Sequence, residues 1–205
     1  LTGDSSSCSI FSSHSGRWCD GPPLLRNRLF HCAGRLGGAS IVCGGPGLSS
    51  TEVLPDDASH WNQGANMCSS RWIAGAAAVS AADASAHQLL VAGGSDDVRA
   101  MDTVELYDAL ADRWVLQEAR LPKAMLCHAA PLEAYAAVLV VSSQPDAVDC
   151  ALLDLRSNAP AWGTVASLPD PQQNSAAVAV GDHSVVILGG RDPNRRALDT
   201  AQLYD

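Results

Sequence analysis

The chain has 205 residues, 47% of them hydrophobic and 17% charged, with a formal net charge of −9. That composition describes a globular chain with enough length for a sizeable core, and excludes a disordered one. Its apolar runs fall well short of the ~18 residues of a membrane-spanning helix, and its acidity argues against a nucleic-acid backbone as partner.

The predicted elements are all short strands. SCSIFSSHSGRW comes first, as two strands around a turn. LFHCAGRL, GASIVCGG, STEVLPDD and HWNQGANM follow as a set of four. WIAGAAAV, HQLLVAGG, TVELYDA and RWVLQEA repeat that order, and MLCHAAPL, AAVLVVSS, CALLDLRS and AWGTVASL repeat it again. NSAAVAVG, HSVVILGG and DTAQLYD close the chain as three strands of a further set.

Two markers run through these sets with one period. The apolar run of each second strand ends in a pair of small residues whose first members are Gly44, Gly93, Ser142 and Gly189, so the spacings are 49, 49 and 47. Four tryptophans each stand seven residues after a large apolar residue: Phe11 with Trp18, Leu54 with Trp61, Tyr107 with Trp114 and Leu155 with Trp162. Six residues between partners fit two strands and a four-residue turn, which places the two side chains opposite each other. The diglycine fits a strand end where the backbone turns tightly or passes close to a neighbour. Ser142-Ser143 is expected to carry a more ordinary turn.

Four short strands per unit, small residues on the first of them and a repeat of about 50 residues describe a β-propeller blade. The chain resembles the kelch-repeat family, on Gly44-Gly45, Gly93-Gly94, Gly189-Gly190, TVELYD before Trp114, and DTAQLYD with Tyr204 at the end. Phe11, Leu54 and Leu155 stand where the family usually has tyrosine. The resemblance implies an all-β kelch-type propeller of four-stranded antiparallel blades. They fall at about 29–67, 72–119 and 125–168, with partial blades at 1–24 and 174–205. It further implies that the remaining blades of a larger ring complete it.

The chemistry-bearing residues give no catalytic motif. His87 and His183 hold the same place in two repeats, which reads as scaffold, and His31 and His128 are taken as another corresponding pair. The seven cysteines are odd in number, irregular in spacing and without C-x-x-C, so neither a disulfide framework nor a zinc site is expected. That usage favours a reducing, cytoplasmic setting. AGRLGGASIVCGG lacks the G-K-[ST] ending of a phosphate loop and leads into a strand. No metal or cofactor is expected.

The arginines give the best remaining clue. Loops between second and third strands share one end of a propeller with the linkers between blades. By resemblance, that is the end on which kelch modules hold peptides. It is predicted to carry Arg26, Arg28, Arg71, Arg99, Lys123, Arg191, Arg195 and Arg196, eight of the thirteen basic residues. Asp96, Asp97, Asp146, Asp149, Asp170 and Asp192 share these loops, so a mixed, solvated surface is the plain alternative. The sharper expectation is a face that takes an acidic or phosphorylated peptide through forked Arg contacts. The leading expectation is thus a kelch-type protein-interaction scaffold, an adaptor or substrate-receptor segment. The alternative is a propeller enzyme, of oxidase or epimerase type, acting on a sugar or small molecule.

Overall fold

The computed structural model describes residues 6–80, 87–133, 136–156, 160–181 and 183–205. They form seventeen strands and, among the described residues, no α-helix. The first two are β1 (Cys8–Ser12) and β2 (Arg17–Gly21), followed by β3 (Cys32–Leu36), β4 (Ala39–Cys43), β5 (Thr51–Pro55) and β6 (Asn62–Gly64). Next come β7 (Gly75–Ser80), β8 (His87–Ala92), β9 (Val104–Asp108) and β10 (Arg113–Leu116). The last sets are β11 (Cys127–Leu132), β12 (Ala137–Ser142), β13 (Cys150–Asp154) and β14 (Trp162–Thr164), then β15 (Ala176–Val180), β16 (Ser184–Leu188) and β17 (Ala201–Tyr204).

Each strand pairs antiparallel with its chain neighbour, giving three four-stranded sheets, a two-stranded sheet of β1 and β2, and a three-stranded sheet of β15 to β17. The sheets adopt the propeller arrangement, with first strands β3, β7, β11 and β15 side by side. Small residues allow this approach. A Cβ added at Gly75 in β7 would lie 2.9 Å from the Ala129 nitrogen in β11, too close for any side chain to fit without backbone movement.

The core lies between successive sheets, because both faces of a blade are apolar. Leu90 and Ala92 face forward onto Val138 and Val140 of the next sheet. Leu89 and Val91 face backward onto Ile41 and Cys43. Alternation along one strand therefore serves two cores.

The marker residues fall at equivalent positions, with one adjustment. Gly44, Gly45, Gly93, Gly94, Gly189 and Gly190 all take positive φ, while Ser142 and Ser143 do not. Tyr107 lies opposite Trp114 with ring centroids 5.0 Å apart, and Phe11 opposite Trp18 at 5.3 Å. Trp61 sits one residue before β6, and Tyr204 pairs with Val185 as Tyr107 pairs with Leu89. Trp162, however, lies opposite Leu153 rather than Leu155. The connection in that hairpin is two residues longer, so the seven-residue spacing there did not mark the facing pair.

The histidines also need a correction. Cys32 pairs with Cys43, whereas His128 pairs with Val141, the counterpart of Cys43. His128 therefore corresponds to Cys32, and His31, one residue before β3, is one step out of register with it. His87 opens β8, but its side chain lies outside the described residues.

Candidate functional site

One end of the propeller is built from the β4–β5, β8–β9, β12–β13 and β16–β17 loops together with the linkers between sheets. Backbone hydrogen bonds join the two kinds of segment: Gly45 N to Arg71 O, Gly94 N to Met125 O and Leu168 N to Val148 O, at 2.9, 2.8 and 2.9 Å. The loop face is thus a bonded layer rather than a set of independent turns.

Two of the eight basic residues predicted for this face are inside it. Arg28 and Arg71 have fully buried side chains, so they are removed from the set that can touch a partner. Arg28 donates to Glu52 at 2.8 Å, to Gly44 O at 2.8 Å and to Ser50 O at 2.9 Å. Arg71 donates to Glu105 at 2.5 Å, to Gly93 O at 3.0 Å and to Thr103 O at 3.1 Å. Each guanidinium ties the start of a second-to-third-strand loop to its end. The carboxylates complete the clamp by accepting from the preceding linker, Glu52 from Leu25 N and Glu105 from Cys68 N, both at 2.6 Å. Removed from water, the charges are held by mutual pairing and hydrogen bonding, which engages every nitrogen of Arg28 but leaves the Arg71 Nε buried with no partner among the described residues.

The clamp changes as a unit along the chain. In the third four-stranded sheet the Arg71 position is Met125 and the Glu105 position is Ala151, both buried. In the last sheet the two positions are Gln172 and Gln202. Gln172 donates to Thr200 Oγ1 at 3.2 Å, and Gln202 bonds the backbone of Asp170. Neither charge is retained without the other. Sequence reading missed the pairs because Arg and Glu lie 24 positions apart in one sheet and 34 in another. The available signal was a glutamate inside an apolar third strand, two residues before Leu54 and again before Tyr107.

The other six basic residues are exposed. Lys123 is paired with Asp149 at 2.7 Å, and Arg99 stands 3.9 Å from Asp96. The Asp96 carboxyl is held below its usual range, first by the Arg99 N–H and then by that of Val98. Among the described residues no carboxylate lies within ion-pair distance of Arg26, Arg191, Arg195 or Arg196. Three of these four share the β16–β17 loop. Arg191 donates its guanidinium to Arg195 O at 3.0 Å, and Asp192 accepts from the Arg196 N–H at 2.8 Å. That carboxylate braces the loop backbone and leaves the Arg195 and Arg196 guanidinium groups outward.

Arg26 occupies one wall of an open, polar groove of about 630 Å³, with Ser49, Gln63 and Asn66 among its other walls. Asp97 caps the rim, accepting from the Gly47 N–H at 2.7 Å. Charge, side-chain amides and exposed backbone there offer the contacts that an extended peptide uses. Among the described residues, no three His, Cys, Asp or Glu side chains gather as a metal site, and no helix is long and apolar enough to cross a membrane. No protein-family model matches the chain, and no curated protein matches it.

Proposed function

We propose that this chain is a kelch-type interaction module whose loop face holds an acidic or phosphorylated peptide segment of a protein partner. The observation that carries the reading is the set of guanidinium groups with no carboxylate partner among the described residues, Arg26, Arg191, Arg195 and Arg196, on one end of an otherwise acidic chain. A guanidinium with no local carboxylate is available for forked contact with an anion, which Lys123 beside Asp149 is not. The kelch assignment is supported by positive-φ diglycines and by the Tyr107–Trp114 cross-strand pair in the sheet that bears the repeat most fully.

In this reading the module is non-catalytic, works in a reducing, cytoplasmic setting with its seven thiols free, and shares its ring with further blades. The test is binding of glutamate-rich and phosphoserine-bearing peptides to the intact chain by calorimetry or polarisation. Replacing Arg191, Arg195 and Arg196 together by glutamate is expected to abolish capture while leaving the thermal midpoint in place. Capture that survives the triple replacement refutes the reading.

A further inference from the structure

Cys32 and Cys43 are direct partners in the register of β3 and β4, and both belong to the apolar cluster that includes Leu89 and Val91 of the next sheet. They are 3% and 0% exposed. Residues directly opposite on antiparallel strands hold their Cα atoms about 4.5–5.5 Å apart. A disulfide spans Cα separations of about 4.4–6.8 Å, so this register already meets its requirement. The two thiols lie within hydrogen-bonding reach of each other, and both are free. A single buried cysteine is only a small apolar side chain. The equivalent pairs in the other sheets are Gly75 with Ala92, His128 with Val141 and Ala176 with Leu188. Packing at this place therefore calls for sulfur on neither strand, yet here it stands on both.

We propose that Cys32 and Cys43 form a reversible redox site, which a peroxide closes into a cross-strand disulfide and a small thiol reopens. Hydrogen peroxide, small and uncharged, reaches the pair through local opening of the strand ends. Cys32 is the attacking sulfur. The hydrogen bond from Cys43 draws its pKa below the ordinary thiol range, whereas Cys43 is pushed up, first by that same bond and then by burial. The Cys32 thiolate takes one peroxide oxygen and the O–O bond breaks. The departing hydroxide picks up the Cys32 proton, which leaves water and a sulfenic acid. The Cys43 sulfur then attacks the Cys32 sulfur, the S–O bond breaks, and hydroxide leaves with the Cys43 proton as a second water. The two sulfurs lose two electrons in all, and the two peroxide oxygens gain them. The change reaches beyond one strand pair. As a thiol, Cys32 donates to Ala74 O, just before β7 of the following sheet, at 3.3 Å, and a disulfide sulfur has no proton to donate. Oxidation thus trades a bond between sheets for a bond within one. Cys127 is committed elsewhere: it donates to Ala92 O at 3.2 Å, and burial pushes its pKa up to about 12. The site is independent of the loop-face reading, because neither cysteine is among the residues proposed to touch a peptide.

The experiment treats the reduced, intact chain with hydrogen peroxide, blocks the remaining thiols with N-ethylmaleimide and maps the tryptic peptides by mass. Cleavage after Arg35 separates the two cysteines, so only the disulfide can hold peptides 29–35 and 36–71 together. A chain carrying Cys19→Ser and Cys68→Ser, run in parallel, removes the exposed thiols that could join one chain to another. The linked pair is expected from the folded chain, lighter by two hydrogens than its separate thiol peptides, and lost after dithiothreitol. Cys43→Ala copies Ala92 and is expected to stay folded by circular dichroism, to give no linked pair, and to hold a sulfenic acid on Cys32 that dimedone traps. Trapping on Cys43 in Cys32→Ala, with none on Cys32 in Cys43→Ala, reverses the two roles and overturns the mechanism. Cys32 and Cys43 recovered as free thiols after peroxide overturn the proposal, and so does a disulfide from either of them to another cysteine, Cys127 included. A linked pair that forms only in denaturant overturns it equally, because the folded register would then have no part in it.

Discussion

Arg71 and Glu105, 34 positions apart, meet at 2.5 Å with both side chains fully buried, and their counterparts one sheet further on are Met125, in the linker before β11, and Ala151, on β13. The chain thus contains both solutions to the same packing problem, an ion pair and a pair of apolar residues. Breaking a buried pair by removing one partner strands a charge and costs roughly 3–5 kcal/mol, whereas replacing both can be nearly neutral. Arg71→Met and Glu105→Ala are each expected to destabilise on that scale in denaturant unfolding. The double variant, which copies the Met125 and Ala151 solution, should cost less than the sum. A strictly additive cycle would show that the two charges do not act as a unit.

Gly94 tests the turn that ends a second strand. Its φ is +87°, and an added Cβ would lie 2.8 Å from both Trp72 O and Ala74 Cβ. Gly16, in the β1–β2 turn, has φ +66° with open space around the same position. Gly16→Ala should therefore show only the left-handed backbone cost, about 1–2 kcal/mol. Gly94→Ala adds a clash with backbone and should cost clearly more in the same unfolding assay. Equal losses would mean that φ alone dictates glycine there.

The tryptophans separate position from bonding. The Trp114 indole N–H is shared between Thr51 Oγ1, on β5, at 3.0 Å and Ala65 O, just after β6, at 3.1 Å. The Trp162 indole nitrogen is buried with no partner among the described residues. Phenylalanine keeps much of the apolar contact and removes the donor. Trp114→Phe should therefore destabilise by about 1 kcal/mol more than Trp162→Phe, the net value of a typical hydrogen bond. Equal losses of thermal midpoint in the two variants, or a larger loss for Trp162→Phe, would count against a bonding role for the Trp114 nitrogen.

Much of the fold could be read before any coordinates because a propeller repeats its local rules. The apolar runs, the diglycines and the tyrosine-tryptophan pair each mark a strand or its end by short-range sterics. What could not be read depends on loop length. The Leu155–Trp162 spacing matched the pattern by number, yet the longer hairpin shifted the true partner to Leu153. Arg28 and Arg71 were placed on the correct end of the propeller, but their direction is set by Glu52 and Glu105 on a later strand, across loops of different lengths. Periodicity says where an arginine is, and its partner says whether it faces water.

His128 gives the fold a pH dependence of definite sign. Burial disfavours its charged form and pulls its pKa below the ordinary 6.5, and its Nε2 is buried with no hydrogen-bond partner among the described residues. His31 is shifted the same way, by burial first and then by the Arg28 charge. Below about pH 6.5 the unfolded chain therefore binds more protons than the folded one, and stability falls as the pH falls. Above that value both states carry neutral rings and the contribution is complete. Unfolding midpoints measured from about pH 7.5 down to 5.5 should decline, and His128→Leu should flatten much of that decline. His31 would account for the remainder, so His31→Leu added to His128→Leu should flatten it further. A slope that His128→Leu leaves untouched would place the titrating group elsewhere.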